Sequence, residues 1–132
     1  MGTTYPDPLR SPAMSFQQIL DTLIERVPEA VAASFSDKDG EVICSRTIQV
    51  PNEALALLGA YQQTVKRHLQ QAVEDFDRGA IEQIAFATPD HWIVVMGAAE
   101  ACALVLVMGR NGILGRARFE MDRAIRAFNT EL

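Results

Sequence analysis

The feature that most constrains this chain is a pair of apolar segments separated by only three residues. Residues 91–97 read HWIVVMG and residues 101–108 read ACALVLVM, with Ala98, Ala99 and Glu100 between them. Each segment has the length and the β-branched content of a buried strand. A parallel crossover needs about a dozen residues or more, so these strands must be antiparallel neighbours. A doubly wound nucleotide-binding sheet is therefore disfavoured.

Length and charge narrow the class of protein. With 132 residues, 48% of them hydrophobic, the chain has the apolar content for one domain with a single core. Its net charge of −5 works against binding to nucleic acid or to an anionic membrane. No segment has the roughly 18 uninterrupted apolar residues of a membrane helix, and the first residues lack the apolar core of a signal peptide, so we expect a cytoplasmic protein. Residues 1–13 contain three prolines and are predicted to be a disordered tail before a single domain at residues 14–132.

A helix and a hairpin begin this domain. Ser15 and Gln18 have the spacing of a capping box, and Pro28 is predicted to end the helix. Two strand-like segments, residues 31–35 and 42–46, flank a turn in which Asp39 and Gly40 favour a tight reversal. The apolar residues of the helix recur at steps of three and four and form one stripe: Phe16, Ile19, Leu20, Leu23, Ile24 and Val27.

The middle of the chain predicts a long helix with more apolar surface than one sheet covers. It runs from Asn52 to about Asp77, and a second stripe of Leu57, Ala60, Thr64 and Val73 lies beside the main one. We interpret the second stripe as a subunit contact; the alternative is the ordinary width of a core stripe. Residues 80–88 mix polar and apolar side chains on both faces, which fits an edge strand. The main stripe consists of Ala54, Leu58, Tyr61, Val65, Leu69, Ala72 and Phe76.

The last predicted helix, residues 112–129, combines an apolar stripe with a concentration of arginine. The stripe contains Leu114, Ala117, Met121, Ala124, Ile125 and Phe128. Two interpretations of the arginines remain open: solvated side chains that pair with the acidic remainder, or a basic face for an acidic partner. The candidate partner face consists of Arg110, Arg116, Arg118, Arg123 and Arg126.

The order of elements is α-β-β-α-β-β-β-α, which predicts an α+β fold. A five-stranded antiparallel sheet, with the long middle helix on one face and the two terminal helices on the other, buries every stripe. In this order, and in the segments ILDTLI at 19–24, Val27-Pro28, DKDG at 37–40 and NGILG at 111–115, the chain resembles the roadblock family of dynein light chains and bacterial GTPase regulators. The resemblance covers about residues 15 to 129.

The resemblance implies a non-enzymatic module. Roadblock proteins form homodimers through the long helix and the adjacent edge strand, and they serve as scaffolds or as regulators of Ras-like small GTPases. The family has no shared catalytic residues to transfer. By matching elements, the resemblance places the dimer interface at Leu57, Tyr61, Thr64, Val65, His68, Ile81, Ile84 and Phe86.

The sequence predicts no catalytic, cofactor-binding or metal-binding residues. Gly109, Gly112 and Gly115 lie between a strand and a helix, but their spacing matches neither nucleotide-binding fingerprint. Cys44 and Cys102 are expected to be reduced and buried, and neither lies at metal-ligand spacing from a histidine. Two other functions stay open as alternatives, a small acidic secretion-type chaperone and a small-molecule-binding sensor domain. A secretion-type chaperone has three strands before its middle helix and two after it, and a small-molecule sensor needs a cavity lined by convergent polar groups.

Overall fold

The computed structural model describes residues 15–48 and 83–132. Helix α1 spans Phe16–Arg26, and strands β1 and β2 span Ala30–Ser36 and Val42–Thr47. Strands β3, β4 and β5 span Gln83–Ala87, His91–Gly97 and Ala103–Gly109, and helix α2 spans Leu114–Glu131. The predicted middle helix and the predicted tail lie outside these residues. Two strands precede residues 49–82 and three follow, which is the distribution predicted from the sequence and the reverse of the chaperone order.

The five strands form one antiparallel sheet. Their order is β2-β1-β5-β4-β3, so β5 occupies the centre and β2 and β3 are the edges. The prediction that the two apolar segments are antiparallel neighbours is confirmed, because β4 and β5 pair along their whole lengths, from His91 opposite Gly109 to Gly97 opposite Ala103. The edge position predicted for β3 is confirmed as well, since β3 pairs with β4.

Both described helices cover the same face of the sheet, as predicted for the terminal helices. Leu20 and Leu23 of α1 and Met121 of α2 are at most 2% exposed, in one core with Leu104 and Leu106 of β5. Three aromatic rings join the layers within this core. The rings of Phe35 and Phe128 stack with centroids 3.9 Å apart, and Phe16 packs edge-on against both at 5.6 and 5.5 Å.

The opposite face of the sheet is also apolar and buried. It is the face to which the sequence assigns the middle helix, which lies outside the described residues. The alternation of side chains along each strand places a separate set of core residues here. Its members are Ala32, Ile93, Val95, Ala103, Val105 and Val107, each between 0% and 5% exposed.

Local signals in the sequence account for several element ends. The predicted capping box is present: Ser15 Oγ accepts from the Gln18 backbone N–H at 3.1 Å, and Gln18 Oε1 accepts from the Ser15 N–H at 2.8 Å. At the β1–β2 turn, Asp37 Oδ1 accepts from the backbone N–H groups of Asp39 and Glu41, while Gly40 takes a φ of 81°. Helix α2 begins two residues later than predicted, at Leu114, and continues to Glu131.

Candidate interaction surfaces

Among the described strands, β3 pairs only with β4, so its outer edge is open. The Thr88 N–H donates to the His91 carbonyl at 2.8 Å, which closes the β3–β4 hairpin. Because hydrogen-bonded pairs alternate in an antiparallel ladder, the next such pairs are Phe86 with Ile93 and Ile84 with Val95. The N–H of Ala85, which lies between them, therefore points away from β4 and toward the open edge.

Two of the eight residues predicted for the dimer interface lie in this strand. Ile84 is half-buried and lies opposite Val95, so its side chain is on the face away from α1 and α2. Phe86 occupies the register position opposite Ile93. The six others lie outside the described residues: Leu57, Tyr61, Thr64, Val65, His68 and Ile81.

The opposite edge, β2, is less open to pairing. Ile48 donates its N–H to the Val31 carbonyl at 2.9 Å, so alternation along the ladder places Ser45 at a position whose backbone groups face outward. The Ser45 carbonyl already accepts from Gln17 Nε2 at 3.2 Å. Asp21 of α1 and Arg46 of β2 also form an ion pair, with 3.1 Å between the nitrogen and the oxygen. Side chains of α1 therefore occupy part of this edge.

The arginines of the candidate partner face do not form one surface. Arg110 lies in the turn after β5, where its guanidinium is 5.0 Å from the centre of the Trp92 ring and donates from Nη1 to the Thr88 carbonyl at 2.8 Å. These contacts hold Arg110 at the β3–β4 end of the sheet. The four others lie on α2: Arg116, Arg118, Arg123 and Arg126.

The arginines of α2 differ in their surroundings. Arg116 donates from Nε to the Arg26 carbonyl at 3.2 Å, which places it beside the end of α1. Arg126 forms an ion pair with Asp122, one helical turn before it, and both side chains are largely exposed. Arg118 and Arg123 are also exposed.

Two neighbours of these arginines were not assigned by sequence reasoning. Phe119 lies outside the apolar stripe of α2 and is 61% exposed. Glu120 is only 7% exposed, on the flank of α2 that faces α1. The spacing of Phe119 from Arg116 and Arg123, three and four residues, is the sequence signal that could have linked it to them.

Both cysteines have the environment of unreactive thiols. Desolvation raises the pKa of the Cys44 thiol above its ordinary value, and the nearby Asp21 carboxylate adds to the effect. Desolvation likewise raises the pKa of Cys102, with further contributions from Glu100 and Asp37. A nucleophilic cysteine requires the opposite shift.

Residues 15–48 and 83–132 contain no membrane-spanning helix and no metal-binding cluster. Neither α1 nor α2 is both long and apolar enough to cross a bilayer. Within the same ranges, no three His, Cys, Asp or Glu side chains converge as metal ligands would.

Comparison with known proteins shows similarity in structure alone. No protein-family model matches the sequence, and no curated protein is similar to it. Among solved structures, MglC from Myxococcus xanthus matches with a TM-score of 0.75 at 20% identity, over 90% of this chain and 100% of that one. A Roadblock/LC7 domain from Streptomyces avermitilis matches with a TM-score of 0.66 at 17% identity, over 87% of this chain and 95% of that one. The chain has the roadblock fold.

Assignment to the roadblock fold confirms the prediction from the order of elements. An MglB structure with a tetrameric arrangement also shares the roadblock fold, with a TM-score of 0.64 at 20% identity, over 87% of this chain and 85% of that one. Identities at this level establish the fold and leave function to be argued from surfaces.

Proposed function

We propose that this chain is a homodimeric, non-enzymatic protein-binding module that scaffolds or regulates a Ras-like small GTPase. The observation that carries the proposal is the open edge of β3 in a roadblock fold. The family resemblance implies dimers joined at this strand and at the long helix. The tetrameric arrangement of one MglB is consistent with a fold that associates with copies of itself.

The sequence of β3 favours pairing at this edge. Proteins usually protect an exposed edge with charged residues, proline or a bulge. Strand β3 reads QIAFA and contains neither a charge nor a proline, and its register with β4 is regular. Strand β2, in contrast, contains Arg46, has a register shift opposite Phe35 and Ser36, and is contacted by Gln17. We therefore assign the pairing edge to β3 rather than to β2.

The other residues of the proposed interface are predicted from the sequence by the family resemblance. Leu57, Tyr61, Thr64, Val65, His68 and Ile81 complete it, beside Ile84 and Phe86 of β3. Pairing of the β3 strands of two subunits would bring together the same patch from each, which is the geometry of a two-fold symmetric dimer.

Two proline substitutions, one on each edge strand, test whether the dimer pairs through β3. Ala85→Pro removes an outward N–H from β3 but leaves the ladder with β4 intact, so we expect it to convert the dimer to a monomer. Ser45→Pro makes the matched change on β2 and should leave the dimer unaffected. Sedimentation velocity at micromolar concentration gives the oligomeric state, and circular dichroism verifies that both variants are folded. A monomeric parent chain, or a dimer that survives Ala85→Pro, would refute the proposed edge.

A second variant tests the contribution of the predicted helix. Leu57→Glu combined with Val65→Glu places two charges where the interface is proposed to be apolar, and like charges desolvated against each other are strongly unfavourable. We expect dissociation at concentrations where the parent is dimeric. Full dimerisation of the double variant would show that the interface lies elsewhere.

The GTPase component requires its own measurement. Purified Ras-like GTPases of the source organism, loaded with GTP or GDP, are mixed with the chain, and binding and GTP turnover are recorded. We expect binding that depends on the nucleotide, because the switch segments of such GTPases change order on hydrolysis. Absence of binding to any of them would remove the GTPase from the proposal and leave the dimer standing.

A further inference from the structure

A groove between α1 and α2 has an apolar floor and a basic rim. Its volume is about 120 Å³, and its floor includes Ile19, Leu23, Ala124 and Ala127. Arg26 of α1 and Arg123 of α2 line its two sides. The groove is on the helical face of the sheet, so it is separate from the edge proposed for dimer formation.

The charge around this groove is positive in a chain that is acidic as a whole. Arg26 and Arg123 line it, and Arg116 lies next to Arg26, to whose carbonyl it donates from Nε at 3.2 Å. Glu120 also lines the groove, but this acidic side chain is only 7% exposed. The exposed rim of the groove is therefore basic, although the full chain has a net charge of −5.

An exposed aromatic ring extends this surface along α2. Arg116, Phe119, Arg123 and Arg126 follow one another at steps of three, four and three residues, which places them on one side of the helix. Phe119 is 61% exposed, although burial of such a ring is worth about 1.5–3 kcal/mol. Arg118 precedes Phe119 by one residue and is therefore rotated from it by about 100° around the helix.

We propose that this surface, the α1–α2 groove with Arg26 and the Arg116–Phe119–Arg123 side of α2, binds an acidic amphipathic helix of a partner protein. Apolar residues of that helix would contact the groove floor and Phe119, and its carboxylates would pair with the arginines. In helix-in-groove recognition, an amphipathic helix lays its apolar face in a hydrophobic groove of its partner. Arginine suits this role because its planar guanidinium pairs with a carboxylate through two hydrogen bonds.

Charge complementarity selects this partner over a nucleic acid or a lipid surface. A nucleic acid or an anionic membrane would be repelled by the net charge of the whole chain, whereas one helix meets only the local basic rim. The apolar floor adds contacts that a phosphate backbone cannot use. A partner helix could bind this surface whether or not the chain forms the proposed dimer or binds a GTPase.

Peptide binding tests the proposal directly. The probe is a fluorescein-labelled helical peptide with Leu at positions i, i+4 and i+7 and Glu on its flanks; the control peptide has Lys at each Glu. Fluorescence anisotropy should show binding of the acidic peptide and not of the basic one. Affinity should fall about tenfold in Arg123→Glu and in Phe119→Ala, and by less than about threefold in Arg118→Glu, which makes the same charge change off the surface.

Two further measurements make the test decisive. Arg116→Glu combined with Arg123→Glu should bind the basic peptide more tightly than the parent does, because the charge pattern is then reversed. Ala85→Pro should leave peptide affinity unchanged, which separates this surface from the dimer edge. The proposal is overturned if the acidic peptide fails to bind at about 1 mM, if Arg118→Glu weakens binding as much as Arg123→Glu, or if phosphatidylserine vesicles bind with the same residue dependence and the peptide does not.

Discussion

Glu100 and Ala101 adopt a backbone conformation that L residues seldom take. Their φ angles are 59° and 60°, and they are the two central residues of the turn that joins β4 to β5. The Cys102 N–H donates to the Ala99 carbonyl at 3.2 Å and closes this turn. Positive φ at both central positions defines a type I′ turn, which favours Asn followed by Gly. The turn therefore holds two residues that oppose its conformation.

Relief of this strain should stabilise the protein. We expect Glu100→Asn combined with Ala101→Gly to raise the free energy of unfolding by about 1 kcal/mol, because Asn and Gly tolerate positive φ. Urea denaturation followed by circular dichroism measures the change. Ala98→Gly is the control, since Ala98 is extended at a φ of −124° and glycine there should lower stability by about 0.5–1 kcal/mol. Equal effects of the two changes would contradict the explanation.

The thiols give a prediction about pH. Because burial raises the pKa of Cys44 and Cys102 above their ordinary 9.0, the folded chain holds more protons than the unfolded chain near and above that pH. The unfolding free energy should therefore be unaffected by these groups below pH 9.0 and should decline as pH rises through the folded pKa values.

Thiol chemistry and a cysteine-free variant verify this assignment. The native chain should react slowly with a disulfide reagent at pH 8 and rapidly once it is denatured in urea. Cys44→Ser combined with Cys102→Ala should flatten the alkaline decline in stability. A decline of the same size in that variant would assign it to other groups.

At the scale of elements, the start of α1 is specified locally. Ser15 and Gln18 satisfy each other's backbone N–H groups. Ser15→Ala removes the side-chain acceptor for Gln18, and we expect a loss of about 1 kcal/mol in the free energy of unfolding. Ser15→Asp retains an acceptor and should keep most of the stability. Thermal melts of the three proteins, compared at one pH, provide the measurement, and a loss in Ser15→Asp as large as in Ser15→Ala would argue against capping.

Such local elements were the most predictable from sequence. The capping box, the Asp37–Gly40 turn and the short β4–β5 connection each depend on residues a few positions apart, and each is present. The edge position of β3 followed from its mixed pattern of polar and apolar residues. The left-handed turn was not foreseen because Glu100 and Ala101 lack the usual signal, and the length of the connection alone imposes it.

The flanks of α2 were harder to predict. Periodicity identifies the stripe that faces the sheet, but the helix packed alongside decides which adjacent residues are covered. Glu120 is buried because α1 lies next to that flank, and Phe119 is exposed because no described element packs over it. The grouping of Arg116 and Arg123 near Arg26, and the separation of Arg110 from them, likewise depend on tertiary packing. The residues predicted on the middle helix stay predictions.

At the scale of the whole molecule, the three aromatic rings join α1, β1 and α2. Phe16 comes from the start of α1, Phe35 from β1 and Phe128 from the last turns of α2. Phe35 and Phe128 are both 0% exposed and stack face to face. Removal of one ring would therefore leave a cavity at the junction of all three elements. Such a cavity affects the folding of the whole domain, because native domains have only about 5–15 kcal/mol of net stability.

Two phenylalanines of α2 provide a matched comparison. We expect Phe128→Ala to lower the free energy of unfolding by about 3–5 kcal/mol and the melting temperature by roughly 10–20 °C, through lost burial and the cavity that remains. Phe119→Ala makes the same chemical change where the ring is 61% exposed, and it should alter stability by less than about 0.5 kcal/mol. Differential scanning calorimetry of both variants measures the difference. Comparable losses would mean that the Phe119 ring is covered in solution and is not available to a partner.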